Sequence, residues 1–278
     1  MSTDVLTRQS LRERDGGVWA YVSASRLALW LKCPLAFRLK YIDGVPTPTS
    51  PSLFLGKVVH SGLEHWYRHR QLGIALDTDE VTRRVAAEWD QSVAEANVPF
   101  GSTEEEQSLR RQAADLVSAY VRQVPPDEGH PLAVEAAMEW PLVDPRTRKD
   151  LGVPLVGIVD LIVDDKDGPV IADFKSSSRS SSPMEISHEI QLGAYSYLFR
   201  QTTGQEEAGL EIRSLVKTKT PKIEFHRFAA RSEAHFGRLF AVVREYLDAL
   251  DAGRFNYRPN WGCSMCDYCD SHCRQWSG

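Results

Sequence analysis

Four of the five cysteines in this chain crowd into one short stretch, Cys263-x2-Cys266-x2-Cys269-x3-Cys273, and the fifth, Cys33, stands near the other end. Thiolates at two- and three-residue intervals can converge on one soft metal centre, because short spacers let successive sulfurs turn inward. A distant cysteine that supplies the remaining ligand forces the N-terminal region against the C-terminal segment. The pattern therefore calls for one closed domain over residues 19–278, after a polar, flexible leader at 1–18.

At 278 residues the chain can bury a sizeable core. It contains no apolar run of membrane-spanning length, and its start carries no hydrophobic signal core. A cytoplasmic protein whose thiols are reduced or metal-bound is the expectation. The net charge of −5 hides an asymmetry. Between Ala20 and Arg70 seven Lys/Arg face two acids, whereas between Asp77 and Asp165 nineteen acids face eight Lys/Arg. A second basic cluster follows at Arg213, Lys217, Lys219 and Lys222. Polyanions respond to such local fields rather than to the sum, although either patch alone also suits an ordinary solvated face.

Periodicity divides the domain into three parts. Residues 19–130 read as helices: one opened by Ser23 or Ser25 and ended or bent at Pro34, one from about Ser52 to Gln71, and charged stretches near Asp79–Val93 and Thr103–Val124. Residues 131–230 change texture, with β-branched runs at Leu132–Val143, Val153–Val163 and Val170–Phe174 separated by turn residues. A helix at Met184–Gln201 and strands at Leu210–Val216 and Ile223–Phe228 complete this part. Residues 231–278 give a long helix, Ser232–Ala252, and the cysteine segment. The order predicts an α/β core, a central mixed sheet flanked by helices, with a helical region before it.

Chemistry concentrates in the second and third strands. Gly157-Ile158-Val159-Asp160 sets a carboxylate in an apolar strand, and Asp173-Phe174-Lys175 sets an acid and a lysine on one face of the next. A tight hairpin brings the three together. Two carboxylates and a lysine are costly to bury without a purpose, and they suit Mg²⁺ or Mn²⁺ with a lysine that steadies a phosphate. A structural Asp–Lys pair closing a strand is the plainer alternative. His60 follows Gly56 on a helix, and Gln191 and Tyr195 stand one helical turn apart. Each of these alone is ordinary. Trp30, Phe37, Tyr41 and Trp66 near the basic segment offer stacking surfaces or core.

In order, Ser23-x-Ser25-x4-Trp30-x2-Cys33-Pro34-x2-Phe37, Gly56-x3-His60, Gly157-x2-Asp160, Asp173-x-Lys175, Gln191-x3-Tyr195 and the terminal cysteines resemble the PD-(D/E)XK nuclease superfamily. The nearest branch is RecB-like and includes CRISPR-associated exonucleases with an iron–sulfur cluster. The resemblance implies a restriction-endonuclease-like core with a C-terminal iron–sulfur clasp. It implies His60, Asp160 and Asp173 as metal ligands, Lys175 as the catalytic lysine, and Gln191 and Tyr195 as supports for site and DNA. An acid on the first core strand, Glu135 or Glu139, joins them.

It further implies a [4Fe–4S] cluster on Cys33, Cys263, Cys266 and Cys273, with Cys269 the alternative ligand and zinc the alternative centre. The implied activity is metal-dependent hydrolysis of DNA phosphodiester bonds, as an exonuclease on single-stranded or free ends in repair, phage replication or CRISPR adaptation. A helicase, recombination or CRISPR-adaptation protein is the implied partner. The competing readings are a catalytically silent DNA-end-binding adaptor and a zinc-bearing RNA-binding protein.

Overall fold

The computed structural model describes residues 17–178, 180 and 185–277, leaving aside the Ser187 side chain. The expected leader, up to residue 16, and Met184 lie outside them. Ser23 rather than Ser25 caps the first helix, accepting the Arg26 N–H at 3.3 Å. That helix, α1 (Ala24–Lys32), stops at Cys33, and Pro34 begins α2 (Pro34–Tyr41), where its missing N–H costs nothing. Then come α3 (Pro51–Gln71, capped by Ser50), α4 (Thr78–Ala96) and α5 (Thr103–Gln123).

The core follows as β1 (His130–Val143), β2 (Asp150–Asp165), β3 (Gly168–Ser177), α6 (Glu185–Thr203), β4 (Gly209–Val216), β5 (Lys222–Ala229) and α7 (Glu233–Asp251). The five strands form one mixed sheet in sequence order. All neighbours are antiparallel except β3 and β4, which are parallel and joined through α6.

The sheet is the middle of three layers. Val134, Leu161, Ala172 and Phe174 on one face pack with Leu55, Val59 and Leu63 of α3 and with Val85, Trp89, Leu116 and Tyr120 of α4 and α5. Ile162, Ile171 and Ile212 on the other face meet Leu192, Tyr195 and Phe199 of α6. A third cluster joins α1, α6 and α7 through Leu27, Trp30, Leu198, Phe240 and Tyr246. Trp30, Phe37 and Trp66 are thus core rather than stacking surfaces.

The second basic cluster divides. Arg213 is only 3% exposed and bonds to the Tyr67 and Tyr120 hydroxyls, both at 2.8 Å, and to Glu128 at 2.5 Å. It ties β4 to α3, α5 and the segment before β1, and it faces no solvent. A buried guanidinium needs such partners, since an unpaired one costs several kcal/mol. Among the described helices, none is long and apolar enough to cross a membrane.

Candidate active site

The ladder between β2 and β3 ends at Leu161 and Ala172. Beyond that pair the strands part, and the Asp160 side chain enters the gap, where Oδ2 accepts the Phe174 backbone N–H at 2.8 Å. Phe174 itself points to the α3 side, so its neighbours Asp173 and Lys175 point to the α6 side, as strand alternation requires. The spacing read from the sequence thus delivers Asp160, Asp173 and Lys175 to one place.

His60 reaches the same point from α3. Its Nε2 lies 3.1 Å from the Phe174 carbonyl oxygen, an acceptor, so Nε2 carries the proton. Nδ1 stands 3.6 Å from Asp160 Oδ2.

Glu135 completes the group. One nitrogen of His60 and one carboxylate oxygen each from Asp160 and Glu135 all lie within 4.8 Å of one another. The β1–β2 register sets Val134 opposite Leu161 and Ala136 opposite Val159, which places Glu135 at the level of Asp160. Glu135 has a φ of 47°, in the left-handed region that non-glycine residues seldom occupy. Glu139, the other candidate acid, pairs with Val156 and is exposed.

Burial pushes Glu135 up to about 7, with the nearby Asp160 and Glu64 carboxylates adding to the effect. Burial also raises Asp160, followed by Asp173, while His60 and the Phe174 N–H oppose the rise. Each charged carboxylate here makes ionisation of the next less favourable, and a cation among them offsets that repulsion.

Asp173 is held differently. Its Oδ1 accepts from Gln191 Nε2 at 2.7 Å, and Lys175 Nζ lies 2.6 Å from its Oδ2. That second oxygen is buried, and the lysine meets it without hydrogen-bond alignment. Gln191 gives its other proton to the Tyr195 hydroxyl at 2.9 Å. Tyr195 is raised by burial and then by Asp173 and Asp160, and it stays a neutral phenol. The three donors that come close to one another fit a hard divalent ion: an imidazole nitrogen of His60 and one oxygen each from Asp160 and Glu135. Asp173, expected among the ligands, stands outside that group with its Oδ2 facing Lys175. His60, Glu135 and Asp160 open into a cleft walled by α3 and by parts of β1, β2 and β3, which Lys57, Lys175 and Ser176 also line.

The five cysteines line a separate pocket. Cys33 sits at the joint of α1 and α2, Cys263 in the turn Trp261–Met265, Cys266 just after it, and Cys269 and Cys273 bound the final turn. The Cys273 thiol is pushed up by burial and then by all four other cysteines, which places every one of them nearby. Asn260 Nδ2 donates to the Lys32 carbonyl at 3.1 Å, and Tyr268 OH to the Val45 carbonyl at 3.2 Å, so the C-terminal segment does lie on α1–α2. Tetrahedral zinc at 2.3 Å holds its sulfurs about 3.8 Å apart. Among the described residues only His60, Glu135 and Asp160 form a three-ligand group that tight, so no three of the cysteine sulfurs do.

Comparisons with known proteins bear on the family and the fold. The model of the PD-(D/E)XK nuclease superfamily matches residues 21–274. A crystal structure from Eubacterium rectale, of a protein provisionally named an exonuclease, superposes with a TM-score of 0.57 at 14% identity. The match covers 98% of this chain and 93% of that one, and at such identity it speaks for the fold alone. The crystal structure of SSO0001 gives a TM-score of 0.44 at 14% identity over 99% of this chain and 97% of that one, too low to carry an argument. No curated protein sequence matches the chain.

Proposed function

The chain belongs to the PD-(D/E)XK nuclease superfamily, and on that premise we propose that it is a divalent-metal-dependent deoxyribonuclease, an exonuclease on single-stranded or free DNA ends. The observation that carries the reading is the convergence of Asp160, Asp173 and Lys175 with His60 and Glu135 on one open cleft.

His60, Asp160 and Glu135 would hold Mg²⁺ or Mn²⁺, and Asp173, whose Oδ2 Lys175 Nζ approaches to 2.6 Å, would adjoin them. Such an ion, when bound, supplies Lewis acidity to the scissile phosphate and lowers the pKa of an attacking water. The chain's own groups do the rest. Lys175, one-third exposed and anchored on Asp173, presents its ammonium to the cleft, where it steadies charge that develops on the phosphate. Gln191 uses both amide protons to fix Asp173 and Tyr195, so the carboxylate that anchors the lysine cannot rotate. The Phe174 backbone fixes His60 and Asp160 at once.

For the cysteine pocket we propose a [4Fe–4S] cluster that fastens the N-terminal helices to the C-terminal segment. The observation behind it is that all five cysteines line one pocket shared by the N-terminal helices and the C-terminal segment. Cys33, Cys263, Cys266 and Cys273 are the proposed ligands, with Cys269 in reserve. Anaerobically purified protein should be brown with broad visible absorption, and Cys33→Ser should bleach it; a colourless protein with stoichiometric zinc would sink the cluster.

The test of the nuclease reading is cleavage of end-labelled single- and double-stranded oligonucleotides with Mn²⁺. Asp173→Ala and Lys175→Ala should each abolish it while fold and visible absorption persist. Cleavage retained by either variant refutes the assignment, and binding without hydrolysis by the unaltered protein points to an end-binding adaptor instead.

A further inference from the structure

The Lys217 side chain is partly buried, and among the described residues no acid pairs with it. It follows β4, and its N–H donates to the Ser177 carbonyl at 2.7 Å, which fixes it beside the end of β3. Its Nζ donates to the Ser52 hydroxyl at 2.9 Å, at the start of α3. Among the described residues no carboxylate forms an ion pair with it, and burial alone lowers its pKa. A cation removed from water without a counter-charge is a standing cost, which an anion at that place removes.

The surroundings supply further donors. Ser52 lines the cleft that holds Asp160, and so do Lys57, Lys175 and Ser176. Gly56 lets α3 approach β3 here, since a Cβ at that position would lie 3.3 Å from Ser176 Oγ. Lys57 is exposed on the same helix, five residues after Ser52; of the acids around it, Glu64, Glu135 and Asp160 line the same cleft, and Glu88 bonds to Arg84 and to Ser61. Hydroxyls and ammonium groups therefore run from Lys175 beside the carboxylates outward to Lys217. Leu53, 56% exposed, and Ile158, 53% exposed, stand in the same cleft. Apolar side chains held open to solvent suit unpaired bases better than the phosphate-clad outside of a duplex.

We propose that Ser52, Lys57, Ser176 and Lys217 form a subsite for a non-scissile phosphate of a single-stranded nucleic acid, adjoining the metal centre. The proposal rests on the nuclease reading of the neighbouring carboxylates and adds the direction in which the strand leaves them. Its ligand is a phosphodiester, and Leu53 and Ile158 meet the attached base.

Binding separates it from the chemistry. Anisotropy of fluorescein-labelled (dT)12 is measured with the full-length protein in Ca²⁺ over a series of NaCl concentrations. Lys217→Met keeps the aliphatic stem and removes the charge; Lys57→Ala removes the second cation. Each should weaken binding about three- to tenfold at 100 mM salt and reduce the slope of log K against log salt by about 0.7, the loss of one phosphate contact on a single strand. Lys166→Ala, an exposed lysine paired with Asp127 at the β2–β3 turn, should leave both quantities unchanged. Melting temperature verifies that each variant is folded; should Lys217→Met not fold, Lys57→Ala and Ser52→Ala decide. Unchanged slopes, an equal loss in Lys166→Ala, or no binding of (dT)12 by the unaltered protein overturns the subsite. Mn²⁺-dependent cleavage by the unaltered protein is scored separately, so a failed subsite and a failed nuclease reading give different results.

Discussion

His60 and Asp160 are held by the two backbone groups of a single residue: the Phe174 carbonyl takes the His60 Nε2 proton, and the Phe174 N–H donates to Asp160 Oδ2. A helix and a strand far apart in sequence thus share one residue's backbone as their reference point. No side-chain substitution at 174 removes those bonds directly. Sensitivity should lie instead in the residues that aim the neighbouring groups.

Gln191 is the clearest of these. Gln191→Ala leaves the proposed ligands in place but frees Asp173 Oδ1 and the Tyr195 hydroxyl. Loss of a partner that orients a ligand typically costs about 10–100-fold. Turnover in Mn²⁺ should fall by that factor with little change in binding of (dT)12, and a variant with unchanged turnover would remove Gln191 from the site.

The pH response follows from two carboxylates that ionise late. Glu135 is pushed up to about 7 by burial and then by its acidic neighbours, and Asp160 is raised by burial and then by Asp173. Both bind protons more tightly folded than unfolded, so their contribution to stability falls as pH rises from the ordinary carboxylate range through about 7. A divalent ion competes with the same protons, so its affinity runs the other way and rises from pH 5.5 to pH 8. Thermal melts of chelator-treated protein should show a melting temperature that drops over this range and an Mn²⁺ stabilisation that grows. Glu135→Gln should flatten both trends, and an unaltered flat profile in the parent protein would contradict the crowding.

How much of this was legible in the sequence depends on how local the signal is. Element order and type follow from periodicity, and Asp160, Asp173 and Lys175 follow from alternation on two adjacent strands. Alternation failed on β1: the register shifts between Pro131 and Ala133, and Glu135 adopts a positive φ, so the choice between Glu135 and Glu139 was open until the backbone was seen. Arg213 looked like part of a basic surface because its partners Tyr67, Tyr120 and Glu128 come from three distant segments. Nothing in residues 213–222 alone distinguishes that buried cation from the accessible Lys217.

Arg213 gives a stability prediction. Its removal strands Glu128, 4% exposed, with Arg70 as its remaining charged partner, and it leaves two buried phenols without their donor. Breaking a buried pair from one side costs about 3–5 kcal/mol. Arg213→Ala should lower the urea midpoint accordingly, and a shift below about 1 kcal/mol would show that the network relaxes around the loss.

Gly157 tests the contact between β2 and α6. A Cβ there would sit 2.8 Å from Leu198 Cδ1 and 3.5 Å from the Tyr195 ring. Overpacking of this kind costs about 1–3 kcal/mol. Gly157→Ala should displace α6 and with it Gln191 and Tyr195, so turnover should fall further than the melting temperature alone explains. A variant that loses stability but keeps full turnover would show that Leu198 yields by itself.

Helix α3 is fastened to the sheet at its start by Ser52 and Lys217, in its middle by His60 and Phe174, and near its end by Tyr67 and Arg213. A wall moored at three points does not swing like a lid. The gap between α3 and the strands is therefore held along its whole length, so a strand bound there would have to fit a width that folding sets in advance.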